Sequence, residues 1–135
     1  MTPFRSVVPG IAVAPQIQPQ DAARAASEGY TLIVNNRPDG EEPGQPTSAQ
    51  IEAAAKAAGL AYVHVPVRGM PTAEQVDLVA AAVAAAEGPT LLFCRSGTRS
   101  IITWSLGEVA QGADRADLAA KGAAAGYDLS GVMGI

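Results

Sequence analysis

From residue 30 onward the apolar positions of this chain switch between two periods. "TLIVNN" (31–36) is a short β-rich run closed by turn formers and predicts a strand. "SAQIEAAAKAAG" (48–59) instead places Ile51, Ala54, Ala55 and Ala58 on one helical face and stops at Gly59. The alternation then repeats. "AYVHVPV" (61–67) predicts a strand, and "TAEQVDLVAAAVAAAEG" (72–88) a helix with Thr72 as N-cap and Glu74 in its first turn. Val76, Val79, Ala80 and Val83 form the apolar stripe of that helix, and Gly88 with Pro89 ends it. A third unit opens with "TLLFC" (90–94), a continuous apolar run suited to a central strand covered on both faces, and continues as a helix from about Ser100 to Ala110. Upstream, "GIAVA" reads as an edge strand and "QPQDAARAASEG" as a short helix with Pro19 at its first position. The tail, "DRADLAAKGAAAGYDLSGVMGI", predicts one more helix and an irregular end. Strands alternating with helices predict an α/β fold, a mainly parallel central sheet flanked by helices, in which ligands bind at the carboxyl ends of the strands. With no repeat and no linker, residues 1–135 read as one domain.

Composition sharpens this picture in two ways. Apolar residues make up 48% of the chain but aromatic residues only 4%, so the core has to be built from Ala, Val, Leu and Ile, with alanine allowing close helix packing. The net charge of −4 disfavours polyanions at long range, so neither nucleic acid nor a membrane surface is expected as a partner. No stretch approaches the roughly 20 apolar residues that span a bilayer. The N-terminal apolar run is broken by Pro9 and Gly10, which leaves no signal-peptide core, and one cysteine permits no internal disulfide. A cytoplasmic location is the expectation.

Against an acidic background, positive charge beside the single cysteine stands out. In "LLFCRSGTRS" (91–100), Cys94 ends the predicted central strand and Arg95, Ser96, Gly97, Thr98, Arg99 and Ser100 follow. Between a strand and a helix N-terminus, the amides of such a loop converge on one concavity and Gly97 permits a backbone angle other residues avoid. A thiol at the centre of that nest, with Arg99 nearby and Ser100 donating a hydrogen bond, is favoured as the reactive thiolate. The competing role for Cys94 is a small buried hydrophobe, which needs neither the glycine nor the arginines after it.

The loop "CRSGTRS" resembles those of cysteine-dependent phosphatases and rhodanese sulfurtransferases. Together with "NNRPDGEEPGQP" and "YVHVPV", it resembles the phosphatase-like domain of the β-lactamase-hydrolase-like family over nearly the whole chain. That resemblance implies a dual-specificity-phosphatase-like fold and leaves phosphate and sulfur chemistry both open. Tyrosine and dual-specificity phosphatases separate cysteine and arginine by five residues, whereas four separate Cys94 from Arg99, the shorter ring that resembles rhodaneses. A phosphatase also needs an acid to protonate its leaving group, and the segment "VRGMPTAEQ" has no aspartate where one is expected. Both points favour sulfur transfer. Cys94 would take sulfane sulfur from thiosulfate or a persulfide and pass it, as a persulfide, to a thiol or cyanide. Cys94 and Arg99 are the expected catalytic pair. Arg95, Ser96, Gly97, Thr98 and Ser100 are expected to bind substrate, with Arg37 as a weaker candidate. Cysteine-dependent phosphatase chemistry through a phosphocysteine is the alternative, and an anion- or persulfide-binding module without turnover is the third reading. The resemblance also implies a persulfide-oxidising enzyme as a functional partner. No metal and no cofactor is expected.

Other polar residues have plainer expectations. His64, mid-strand, is read as structural, and Trp104 as core. Asp39 is placed to orient an arginine, and Arg68 leaves its strand toward the same rim as Cys94.

Overall fold

The computed structural model describes residues 1–135, and its architecture is built on five strands of four residues, of which the three interior ones are buried along their whole length. In chain order they are β1 (Arg5–Val8), β2 (Ile11–Ala14), β3 (Leu32–Asn35), β4 (Ala61–His64) and β5 (Thr90–Phe93). The sheet order is β1-β2-β5-β3-β4, with β1 antiparallel to β2 and every other pair parallel. β5 is central. Leu92 stands opposite Val13 and Val34, and Leu91 opposite Ala12 and Ile33. Because side chains alternate faces, Val13, Leu92 and Val34 enter one core while Ala12, Leu91 and Ile33 enter the other.

Two helices cover the second core and four the first. α1 (Asp21–Ser27) and α2 (Ser48–Ala57) bring Ala22, Ala25, Ile51 and Ala55 to the second. α3 (Ala73–Ala85), α4 (Thr98–Ala110), α5 (Arg115–Ala124) and α6 (Ser130–Met133) cover the first with Val79, Ile101, Trp104, Leu118 and Met133. α3 and α4 pack through small residues, Gly107 lying against Ala80 and Val76. Thr47 and Thr72 each close a capping box with a glutamine, Gln50 and Gln75, so α2 and α3 start where the sequence signals them.

Four differences from the sequence reading matter. β2 is an interior strand, because the chain before it folds back at Pro9–Gly10 and supplies β1 as the edge. Pro19 lies outside α1, which begins at Asp21. The tail forms two helices instead of one helix and an irregular end. Finally, α4 begins at Thr98 rather than near Ser100, which puts Arg99 and Ser100 in its first turn.

Candidate active site

Parallel strands deliver their following loops to one rim. There the segments after β2, β3, β4 and β5 bring together Gln16, Arg37, Glu41, Glu42, Val67, Cys94, Arg95 and Arg99. Cys94 follows β5 directly and is fully buried. The chain then turns through Gly97, at φ 96° and ψ −14°, straight into α4. Glycine is needed for that angle, and the Gly97 N–H donates to Cys94 Sγ at 3.1 Å.

Each carbonyl between the thiol and the helix is engaged elsewhere. Arg95 O accepts from Gln16 N (3.1 Å), Ser96 O from Tyr127 Oη (2.9 Å) and Gly97 O from Ile101 N (3.0 Å). No side chain caps α4. Its N-terminal amides and positive dipole end therefore add to the anion-attracting character of the loop.

The arginines are held by carboxylates from the segment after β3. Arg99 donates from Nη1 and Nη2 to the two oxygens of Glu41, each at 2.8 Å, and from Nη1 to Val67 O at 2.9 Å. Arg37, 1% exposed, donates to Glu41, Gln16 and Glu42 at 2.8, 3.0 and 2.9 Å. Above these groups lies a cavity of about 400 Å³ lined by Arg37, Glu41, Glu42, Arg95 and Arg99. Three cations against two carboxylates leave it one net positive charge.

This network sets protonation. The Arg99 hydrogen bonds, helped by Arg37 and opposed by burial, hold Glu41 down at about 2. Arg37 likewise holds Glu42 below the usual carboxylate range. Arg99 is pushed up, first by Glu41 and further by the neighbouring Cys94 sulfur. Neither cavity carboxylate therefore carries a proton to donate near neutrality.

A second tier of polar groups fixes the rim. Asn36 receives a hydrogen bond from Ser100 Oγ (2.8 Å), donates from Nδ2 to Val65 O (3.0 Å), and donates from its N–H to Phe93 O (2.8 Å). Asn35 Oδ1 accepts from Arg37 N at 2.8 Å, and His64 Nε2 donates to Arg37 O at 2.8 Å. His64 thus supports the backbone of Arg37.

Several sequence-derived candidates take different positions from those expected. Cys94, Gly97 and Arg99 come together, and Arg95 lines the cavity mouth. Ser100 does not donate to the thiol, because its place in α4 turns it inward to Asn36. Arg37 lines the cavity, but all three guanidinium nitrogens already have protein acceptors. Ser96 and Thr98 are exposed and hydrogen-bonded to each other, Oγ to Oγ1 at 3.0 Å. Asp39 orients no arginine and instead accepts from Ser48 N at the start of α2 (2.7 Å). Arg68 is exposed and lies outside the cavity lining. Gln16, Asn36 and Tyr127 carried no signal in the sequence, because each acts on a segment distant along the chain. No three His, Cys, Asp or Glu side chains are grouped to hold a metal.

A "Beta-lactamase hydrolase-like protein" of Xylella fastidiosa is 41% identical over 121 residues, which cover 88% of this chain. The chain spans 28% of that relative's length. The crystal structure of a candidate phosphatase from Neisseria meningitidis superposes with a TM-score of 0.86 at 30% identity, covering 97% of this chain and 94% of that one. P. aeruginosa TpbA in complex with pTyr shares the fold at a TM-score of 0.64 and 17% identity, covering 89% and 72% of the two chains. The family described as "Beta-lactamase hydrolase-like protein, phosphatase-like domain" matches residues 3–113. With the family model covering most of the chain and the relative 41% identical, the chain belongs to this family.

Proposed function

We propose that the chain is a cysteine-dependent phosphatase acting through a phosphocysteine. The observation that carries this reading is the Gly97 N–H on Cys94 Sγ, with Arg99, one of three arginines lining a cavity, beside the same sulfur. The phosphatase-like family description and the candidate phosphatase of 30% identity support phosphate chemistry over the sulfur transfer expected from loop length and the missing aspartate. The Cys94 thiolate attacks phosphorus, the S–P bond forms and the bond to the leaving oxygen breaks. Loop amides and Arg99 bear the charge on the equatorial oxygens. Water then attacks phosphorus, the S–P bond breaks, and phosphate and the thiolate are released.

The ionised state of Glu41 and Glu42 restricts the substrate. With no proton to give from the cavity carboxylates, the leaving group has to depart as a weakly basic anion. Aryl and acyl phosphates meet that condition, and alkyl phosphates do not. The same observation favours a second reading, sulfur transfer. There Cys94 takes the outer sulfur of thiosulfate, sulfite leaves unprotonated, and a thiol accepts the sulfur. In that case a persulfide-oxidising enzyme is the partner that consumes the product. No helix is long and apolar enough to cross a membrane. The unpaired thiol suits a reducing compartment such as the cytoplasm.

One assay pair separates these readings. An aryl phosphate and thiosulfate plus cyanide are supplied in parallel to the protein and to Cys94→Ser. Cysteine-dependent phosphate release without thiocyanate is expected. Thiocyanate without phosphate release would replace the phosphatase by a sulfurtransferase. Neither product would leave an anion-binding module.

A further inference from the structure

Tyr127 lies in the turn between α5 and α6, beyond residue 113 where the family match ends, yet its phenol touches the cysteine loop. Its Oη donates to Ser96 O at 2.9 Å. That carbonyl belongs to the same peptide unit as the Gly97 N–H, which donates to Cys94 Sγ at 3.1 Å. A peptide is planar, and its C=O and N–H point in opposite directions, so holding one end aims the other.

We propose that Tyr127 is a positioning residue for the reacting thiol: its phenol holds the Ser96–Gly97 peptide with the N–H turned toward Cys94. The proposal rests on the reading of Cys94 as the reacting group, and holds for either phosphate or sulfur chemistry.

Such a hold is needed here because of Gly97. Glycine accepts positive and negative φ almost equally, so the Ser96–Gly97 peptide can invert at little steric cost. Inversion would replace a donor by a carbonyl oxygen beside the thiolate and the bound anion. The pieces are also fitted to each other. A Cβ at residue 97 would run into the Tyr127 phenol, so the contact exists only with glycine there. Tyr127 is itself held, its N–H donating to Gly122 O at 2.8 Å and the Arg5 guanidinium standing 5.9 Å from its ring centroid. Burial pushes the phenol up from its ordinary value, which keeps its proton available for donation across the neutral range.

Tyr127→Phe keeps the ring and removes only the donor. The rate of Cys94 alkylation by iodoacetamide is measured against pH for both proteins, with and without inorganic phosphate as protecting anion, beside melting curves that confirm folding. The alkylation profile of the variant should move to higher pH, and phosphate protection should weaken about fivefold to tenfold, as for one hydrogen bond to an anionic site. The loss of aryl phosphate turnover should fall on kcat more than on KM. Superimposable profiles and equal protection would overturn the role of Tyr127 while leaving Cys94 as the reacting group. A wild-type thiol no more reactive than a free thiol would overturn the Cys94 reading, and with it the proposal.

Discussion

Two strand-end loops build this site by different means. The loop after β5 runs only from Cys94 to Gly97, and it works through backbone: one N–H on the sulfur, three carbonyls tied off, and a helix N-terminus behind. The segment after β3, from Asn36 to Thr47, works through side chains, Asn36, Arg37, Glu41 and Glu42, which fix the arginines and the rim. A backbone nest can be encoded in a few adjacent residues. A side-chain scaffold depends on partners far away, as Glu41 does on Arg99. Chemistry should therefore fail when the first loop changes, and stability and affinity when the second does.

Cys94→Ser is the sharpest break, removing about three orders of magnitude or more of turnover with the melting temperature little changed, since the smaller, less nucleophilic hydroxyl sits in the same nest. Comparable turnover in the variant would remove the first loop from the chemistry. Arg99→Lys comes next. A point charge cannot serve both Glu41 oxygens and Val67 O, so kcat/KM for an aryl phosphate should fall about a hundredfold.

Changes in the second segment should be smaller and appear in stability. Glu41→Gln should lower stability by about 1–2 kcal/mol near neutrality, allowing for partial solvent screening of a group that is 24% exposed. Its sign with pH is defined. Glu41 is depressed in the folded protein to about 2, so its contribution is complete above the ordinary carboxylate value near 4.5 and disappears as pH falls toward 2. Denaturant melts of protein and variant should diverge above that window and converge at its acid end. A pH-independent difference would mean that Glu41 acts through packing. Ser100→Ala, which reaches that segment from α4 through Asn36, is the mildest test. It strips Asn36 Oδ1 of its donor, costing about 1 kcal/mol in a chemical melt, with thiol reactivity nearly intact. A large loss of reactivity instead would return Ser100 to the thiol.

How much of this was legible follows the same division. The parallel sheet, the central position of "TLLF", the Thr72 cap and the closeness of Cys94 and Gly97 ahead of a helix could all be read locally. The interior position of β2 could not, because "GIAVA" looks the same whether or not "RSVV" folds back to cover its edge. Glu41 is visible in the sequence only as one carboxylate of "NNRPDGEEPGQP", and its clamp on two arginines, which keeps it ionised, appears only in the folded rim. Loop length and the missing aspartate pointed to sulfur chemistry, whereas the phosphatase-like family and the neighbour of 30% identity redirected the proposal toward phosphate.

The sequence by itself determined what depends on neighbours along the chain: the alternation of strands and helices, the Thr72 cap, the burial of β5, and that a thiol and a glycine precede a helix. Tertiary structure alone decided what those groups face. Hydrogen bonds and ion pairs act over a few ångströms in space regardless of separation along the chain, so Glu41 on Arg99, Ser100 on Asn36 and Tyr127 on Ser96 exist only once the sheet has closed.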